Sequence, residues 1–481
     1  MKTYLKNIIG LLGCALIISC NDYLDVQPED KYLEEDVFSR EVGIQTVLNG
    51  IYMNMANKST YGGNLTMSTV EILGQHFDLS EIDHSWQEFG NYNYEDLEVQ
   101  NNLDLIWTST YTNLFNTNNF ITGLDTYDDV LSKEKKNLLK GEAIALRAMF
   151  HFDLLRLFGP VYNAFPEAQA IPYYKDASAT LTPILSATQV MTLILGDLEE
   201  AAQLLTNDPV IEHGKIAILE EDDEDYSFQG PDFYRYRNLR LNYFAVKALQ
   251  ARAHLYAGNN TAALTAAKSV IEDASVWFPW TPPADIIGSS PDRIFSSEVL
   301  FAIQNSSINN RHKDYYVDDL NKKSILAPNT SQLEENTFES NQNDYRLNST
   351  WILPSTGIKN FRTFYKYANI DADEQYMQPL IKMSEMYYIV AETETDPSIA
   401  IQYLNTARNN RGLTDLPLGV DIKNEIYKEY RREFYGEGQL FFYYKRNNFS
   451  SIPNGSTSNG MLPMNSAKYV VPLPLSETDY R

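Results

Sequence analysis

Apolar positions recur at steps of three and four along much of the chain, and this spacing predicts helices. In Gly141–Pro160, GEAIALRAMFHFDLLRLFGP, the residues Ala143, Leu146, Phe150, Leu154 and Leu157 lay one apolar stripe along one helix face. Ala145 and Ala148 lie beside the stripe and are small enough to let a second helix approach. Gly159-Pro160 is expected to stop the helix, because Gly tolerates a left-handed cap and Pro cannot continue the helix. The same period runs through Phe38, Ile44, Leu48, Ile51 and Met55, and through Ile106, Trp107, Tyr111, Leu114 and Asn118 of a helix over 102–124. Ser132 is placed to cap the lead-in to the 141–160 helix, and Ser186 with Gln189 forms a capping box ahead of Val190, Ile194, Leu198, Ala201 and Leu205.

Two segments read as antiparallel helical hairpins. Leu241–Tyr256 and Thr261–Ile271 are Ala-rich, joined by Ala257-Gly258-Asn259-Asn260. Met383–Arg411 is the other, with Asp396-Pro397 as N-cap and first helical residue of its second helix. Paired helices of this kind resemble tetratricopeptide repeats, which stack into a superhelix. Ile422–Arg446 reads as a last helix. The fold class is therefore mainly α: tetratricopeptide-like hairpins forming a superhelical core, with long loop-rich insertions and little β. The helical core is expected over about 37–57, 102–205, 238–275 and 380–446, and the insertions over 58–101, 206–237 and 276–379.

The first residues change the picture of where the chain resides. Lys2 and Lys6 precede an apolar run, Ile8–Ile18, too short to span a bilayer. Ile17-Ile18-Ser19-Cys20 resembles a bacterial lipobox, which implies a lipoprotein signal peptide at 1–19 and acyl chains on Cys20. Leu11-Leu12-Gly13-Cys14 fits the same pattern, but cleavage there would leave a shorter apolar region. More than one acyl chain, at about 0.8 kcal/mol per buried methylene, holds a protein stably on a membrane. Residues 20–36 read as a polar, extended tether. Both cysteines lie in the first twenty residues, so the remaining body carries no disulfide or thiolate chemistry. The balance of 39 Lys+Arg against 64 Asp+Glu gives −25, or −27 once Lys2 and Lys6 leave with the signal peptide. So acidic a surface disfavours nucleic acid and anionic lipid as ligands.

The wording of several segments is more specific than their period. GEA-x-ALRA followed by LLRLFG, W-x3-Y-x2-L-x3-N from Trp107, GDLEEAAQLL at 196–205, SSEVLFAI at 296–303, YLNTARNNRGL at 403–413 and the E-F-x2-EG of 433–438 resemble, in order, segments of the SusD/RagB family. Tyr430 stands where that family usually has Glu, and Leu-Phe-Phe-Tyr-Tyr replaces its commoner Arg-aromatic-x-Asp-Leu, so transfer of a substrate from better-known members is unsafe. Tyr469–Pro474 resembles the family's closing strand-like segment. The resemblance implies a single SusD-like domain over 37–481, an outer-membrane lipoprotein exposed at the cell surface, and a SusC-like TonB-dependent transporter as partner. It also implies a non-enzymatic role in binding oligosaccharides, with oligopeptide binding, glycan hydrolysis and a pure protein scaffold as alternatives.

Candidate chemistry is sparse. The six histidines form no zinc spacing, and no nucleophile elbow or phosphate loop appears. No cofactor is expected, apart from a possible structural calcium in the acidic run Glu220–Asp225, which lacks the Gly and alternating ligands of an EF-hand. A sugar presents an apolar C–H face and a hydroxyl edge, which suit exposed aromatic rings beside amides and charges. Two aperiodic segments supply that mixture. One follows LGQHFDLSE and offers Trp86, Asn91, Tyr92 and Tyr94; the other offers Tyr315, Tyr316 and Trp351. These are the expected ligand-binding residues.

Overall fold

The structure, a computed structural model, describes residues 29–178, 180–216, 232–355, 359–369, 372 and 374–481. Cys20, the signal peptide and the acidic run at 220–225 lie outside the described residues.

Eleven labelled helices carry the body: α1 Glu29–Phe38, α2 Glu41–Met55, α3 Leu97–Thr126, α4 Lys133–Phe158, α5 Ala187–Leu204, α6 Tyr243–Tyr256, α7 Asn260–Ala274, α8 Met383–Thr393, α9 Pro397–Asn409, α10 Ile422–Glu433 and α11 Leu440–Arg446. From α3 to α9 each helix packs on its neighbour in sequence, the stacking expected of tetratricopeptide-like hairpins. Sheet is confined, among the described residues, to four two-stranded antiparallel ladders, the first of them β1, Gln169–Pro172, with β2, Ile184–Ser186. The longest joins β3, Val299–Gln304, to β6, Met377–Lys382, and clamps the insertion between them onto the helices.

Local signals are where the sequence puts them. Ser132 accepts from the Lys135 amide, Ser186 and Gln189 make the reciprocal capping box, and Asp396 caps α9 ahead of Pro397. Gly258, at φ +77°, turns α6 into α7. Four expectations need correction. The supposed tether is helical from Glu29, because Pro28 precedes a run of good helix formers with acids at its start. Residues 58–101 are irregular but pack into the core, with Tyr61, Leu65, Met67, Val70 and Phe77 all buried. Gly159 ends α4 in an extended conformation rather than a left-handed one. Tyr469 closes a four-residue helix, Ser466–Tyr469, where a strand-like segment was expected.

Helix α4 is not striped. Every residue from Gly141 to Phe158 is buried, including Glu142, Arg147, Asp153 and Arg156. Each charge has a partner. Arg147 donates two hydrogen bonds to Asp197 at 2.6 and 3.0 Å, and Tyr173 donates to the same carboxylate at 2.6 Å. Glu142 accepts from Arg237 at 2.6 Å, and Arg237 also grips Asp208 at 2.8 and 2.9 Å. A Cβ on Gly141 would lie 2.8 Å from Leu205 Cγ, so the Gly of the GEA motif admits α5.

The expected single helix over 422–446 is broken at 434–439, and the break and the residue before it are anchored by buried hydrogen bonds. Glu433 accepts from Lys382 at 3.0 Å, Ser384 at 2.9 Å, Arg411 at 2.8 and 3.0 Å, and Arg346 at 3.0 Å. Arg411 reaches on to Glu298 at 2.7 and 2.9 Å. Within the break, Glu71 accepts from the amides of Gly436 and Gly438 at 3.0 and 2.7 Å. Gly438 has φ +67° and no room for a side chain, since a Cβ would sit 1.9 Å from the Leu65 carbonyl oxygen.

Burial alone would raise the Glu433 pKa, but Arg411 and Lys382 outweigh it and hold the carboxyl well below the usual 4.5. Glu429 is lowered in the same way by Arg346, Arg432 and Arg408, whereas burial leaves Glu298 raised. The two lowered groups contribute stability that is complete above about pH 4.5 and lost as pH falls through their folded values. Glu298 has the opposite sign: its share is present below 4.5 and fades as pH rises through its raised value. Urea unfolding should therefore show stability falling steeply below about pH 4.5, with a shallower fall in Glu433→Gln. Glu433→Ala, which leaves buried cations unpaired, should cost about 3–5 kcal/mol at neutral pH.

Candidate functional site

The two aromatic segments, far apart in sequence, meet in space. The Ser85 amide donates to the Lys323 carbonyl at 2.7 Å, the Asp78 amide to the Ala327 carbonyl at 2.8 Å, and His84 Nε2 lies 3.2 Å from the Ile325 carbonyl oxygen. Above these strand-like contacts Trp86 stands half-buried, with its ring edge-on to Phe89 at 5.0 Å and to Tyr315 at 6.0 Å.

Tyr315 ends a short helix, Ile308–Tyr315, and Arg311 sits one turn earlier on the same face, paired with Asp314 at 3.1 Å. Exposed Lys58 holds its ammonium 5.5 Å from the Tyr315 ring centre. Lys323 pairs with Asp83 at 3.1 Å beside them, and both are well exposed. Asn91 is exposed at the end of the turn Gln87–Gly90, while Asn93 donates to Glu88 at 2.7 Å. The result is one indole on an aromatic footing, ringed by amides and charges that face water. Such a surface can stack an apolar sugar face and bond its hydroxyls.

Four of the expected ligand residues belong to the core instead. Trp351 is 1% exposed and Tyr316 is fully buried. Trp351 lies in β4, Trp351–Ile352, opposite Phe364 of β5, Thr363–Phe364, with Tyr435 edge-on at 4.9 Å. Tyr316 donates its hydroxyl to the Met67 carbonyl. Tyr315 is 2% exposed, so it supports Trp86 and offers no face of its own. Tyr92 adopts a left-handed φ of +57°, which tucks its ring under the chain and lets its hydroxyl reach the Leu73 carbonyl at 2.6 Å. Tyr94 remains half-buried, with its hydroxyl on the Lys468 carbonyl at 2.7 Å, on a different surface beside Tyr92. Lys58 and Arg311 were not anticipated. For Arg311 a signal existed: Ile308, Arg311, His312 and Tyr315 fall at helical steps of three, four and seven.

Neutral imidazoles surround rather than form this site. Burial lowers His312 to about 4, and its Nε2 lies 2.6 Å from the Phe364 carbonyl oxygen. Among the described residues no group of three or more His, Cys, Asp or Glu is arranged to hold a metal ion, and no helix is long and apolar enough to cross a membrane.

Comparison with known proteins settles the lineage. A family profile described as "Starch-binding associating with outer membrane" matches residues 22–216, and the SusD family profile matches 291–474. The chain belongs to the SusD/RagB family. Its SusD-like relatives include protein P2 of Formosa agariphila, 26% identical over 210 residues, which are 43% of this chain and 38% of that one. Protein P38 of the same organism is 25% identical over 280 residues, 56% of this chain and 46% of that one. The chain thus matches less than half the length of either. Among solved structures, a SusD superfamily protein of Bacteroides thetaiotaomicron superposes with a TM-score of 0.69 at 21% identity, covering 92% of this chain and 98% of its own. A laminarin-binding SusD-like protein superposes with a TM-score of 0.60 at 18% identity, covering 91% and 97%. At such identities these SusD-like structures share the fold.

Burial separates the two tryptophans of the expected site. Trp351→Ala should lower stability by about 3–5 kcal/mol in urea unfolding, whereas Trp86→Ala should change it by much less.

Proposed function

We propose that this protein is a surface lipoprotein that captures oligosaccharides and passes them to a SusC-like TonB-dependent transporter in the outer membrane. Membership of the SusD/RagB family supports the setting, and the half-buried indole of Trp86 on its Tyr315 and Phe89 footing is the observation that carries the ligand class. In this reading Trp86 stacks a sugar ring, while Asn91, Lys58 and Arg311 reach its hydroxyls. The protein grips and releases without breaking bonds. The carboxylates buried in its helices, Glu142, Asp197, Glu429 and Glu433, are engaged by arginine or lysine and have no access to a glycosidic bond. Acyl chains on Cys20 tether the body to the membrane.

Trp86→Ala should weaken oligosaccharide binding by about 1–3 kcal/mol, roughly 5- to 150-fold, in calorimetric titration against a glycan panel. Unchanged affinity would remove Trp86 from the site, and binding of peptides alone would remove the sugar. Cys20→Ser should abolish incorporation of labelled palmitate and release the protein from the membrane fraction; retention of the label would place the anchor elsewhere.

A further inference from the structure

A second surface, which begins at Tyr92–Glu95 just after the Trp86 turn and continues along α3, has the chemistry of a carbohydrate trough. Two cavities, of about 420 and 740 Å³, lie along the outer side of α3 and share Ser476 as a lining residue. The tail Pro472–Ser476 forms the opposite wall of the larger, and Tyr174, Asp176 and Ser178 with Ser476 and Glu477 that of the smaller. Together the two cavities follow α3 from Leu97 to Asn118, a length of about 30 Å at 1.5 Å per residue, and a chain of linked sugar units spanning both would pass over the contact in which the Ser476 hydroxyl donates to Asp104.

Its lining alternates rings with hydroxyls and amides. Tyr94 lies at one end; Tyr111, Phe115 and Tyr174 lie at the other. Phe115 is 46% exposed, and half-buried Tyr111, one turn earlier, meets Tyr174 edge-on at 5.6 Å. Between the ends, Gln100, Asn101 and Thr108 offer side-chain donors and acceptors to the opening. Four carboxylates, Glu95, Asp104, Asp176 and Glu477, line the two cavities; Arg481 pairs with Glu477, which leaves three, and no Lys or Arg is among the lining residues. An anionic chain such as a uronate polymer or a phosphate ester would be repelled. A peptide backbone would need a strand edge to pair with, and neither α3 nor the tail Pro472–Glu477 is a strand. Neutral, hydroxyl-rich rings match the mixture.

We propose that this trough is a second binding site, for an extended stretch of a neutral oligosaccharide, separate from the Trp86 surface. It does not depend on Trp86 being the first. The test is titration of the purified chain with linear neutral hexasaccharides (maltohexaose, laminarihexaose and cellohexaose among them), comparing wild type, Trp86→Ala, Phe115→Ala, Phe115→Tyr and the double alanine variant. Expected are a residual binding event in Trp86→Ala, a loss of at least fivefold in that event when Phe115→Ala is added, and its recovery with Phe115→Tyr. Circular dichroism should show Phe115→Ala folded, since the ring is half in water. Binding lost entirely in Trp86→Ala, or indifferent to Phe115, overturns the trough and leaves the Trp86 site standing. Binding lost in Phe115→Ala and untouched in Trp86→Ala supports the trough and removes the Trp86 site. Absence of any hexasaccharide binding, or Phe115-dependent binding of a Lys-rich peptide alone, overturns the trough as a sugar site.

Discussion

The carboxylate of Glu433 is the point through which the separate parts of this molecule are tied. It sits at the end of α10 and takes hydrogen bonds from the start of α8, through Lys382 and Ser384, from the turn after α9, through Arg411, and from the insertion, through Arg346. Arg411 carries the connection to Glu298, just ahead of β3. Ala-rich helices pack closely but nearly interchangeably, because small residues set distance and say little about partner. A buried carboxylate among three cations is different. Any arrangement that leaves one of them unpaired is strongly penalised, so the network selects one docking of the insertions on the helical stack.

The same device explains why the signature helix was only half legible. Its apolar stripe is visible in the sequence, but the period assigns no place to the positions between, Glu142, Arg147, Asp153 and Arg156. They are buried because each meets a partner from elsewhere: Arg237 for Glu142, Asp197 for Arg147, Tyr61 for Asp153 at 2.6 Å, and Gln439 for Arg156 at 2.9 Å. Charge pairing across 29 to 95 residues leaves no periodic trace. Caps, by contrast, are local chemistry within three residues, and Ser132, Ser186 and Asp396 could be placed without knowing the fold.

Rings in aperiodic segments show the converse failure. Lack of period was taken to mean lack of core, and Tyr92, Tyr316 and Trp351 contradict that inference. Irregular backbone can be buried where its polar groups find partners, as those of 58–78 do through turn hydrogen bonds and the Glu71 contacts. Those segments then need large side chains to fill the space a helix would otherwise occupy. Trp86 escapes because the short turn Gln87–Gly90 puts Phe89 inward and lifts the indole to the rim. Which ring is lifted depends on that one turn, and hydrophobicity patterns do not encode it.

Buried ion pairs also shape the outer surface. Arg147, Arg237, Arg252, Arg346, Lys382 and Arg411 are all in the interior, each beside a carboxylate. Such pairs cancel internally, so the excess of acid over base is carried by what remains outside, diluted by fewer cations than the composition suggests. Lys445 goes further: it is fully buried, donates to the carbonyls of Leu157 and Gly159 at 3.0 and 2.7 Å, and burial pushes its pKa well below the ordinary value. That ammonium position anchors the end of α4 to α11 and contributes little to the surface field. Long-range attraction of anionic polymers is correspondingly weak, and any ligand stacked on a partly exposed ring such as Trp86 or Phe115 would be held by contacts that operate within a few ångströms, where salt has little effect.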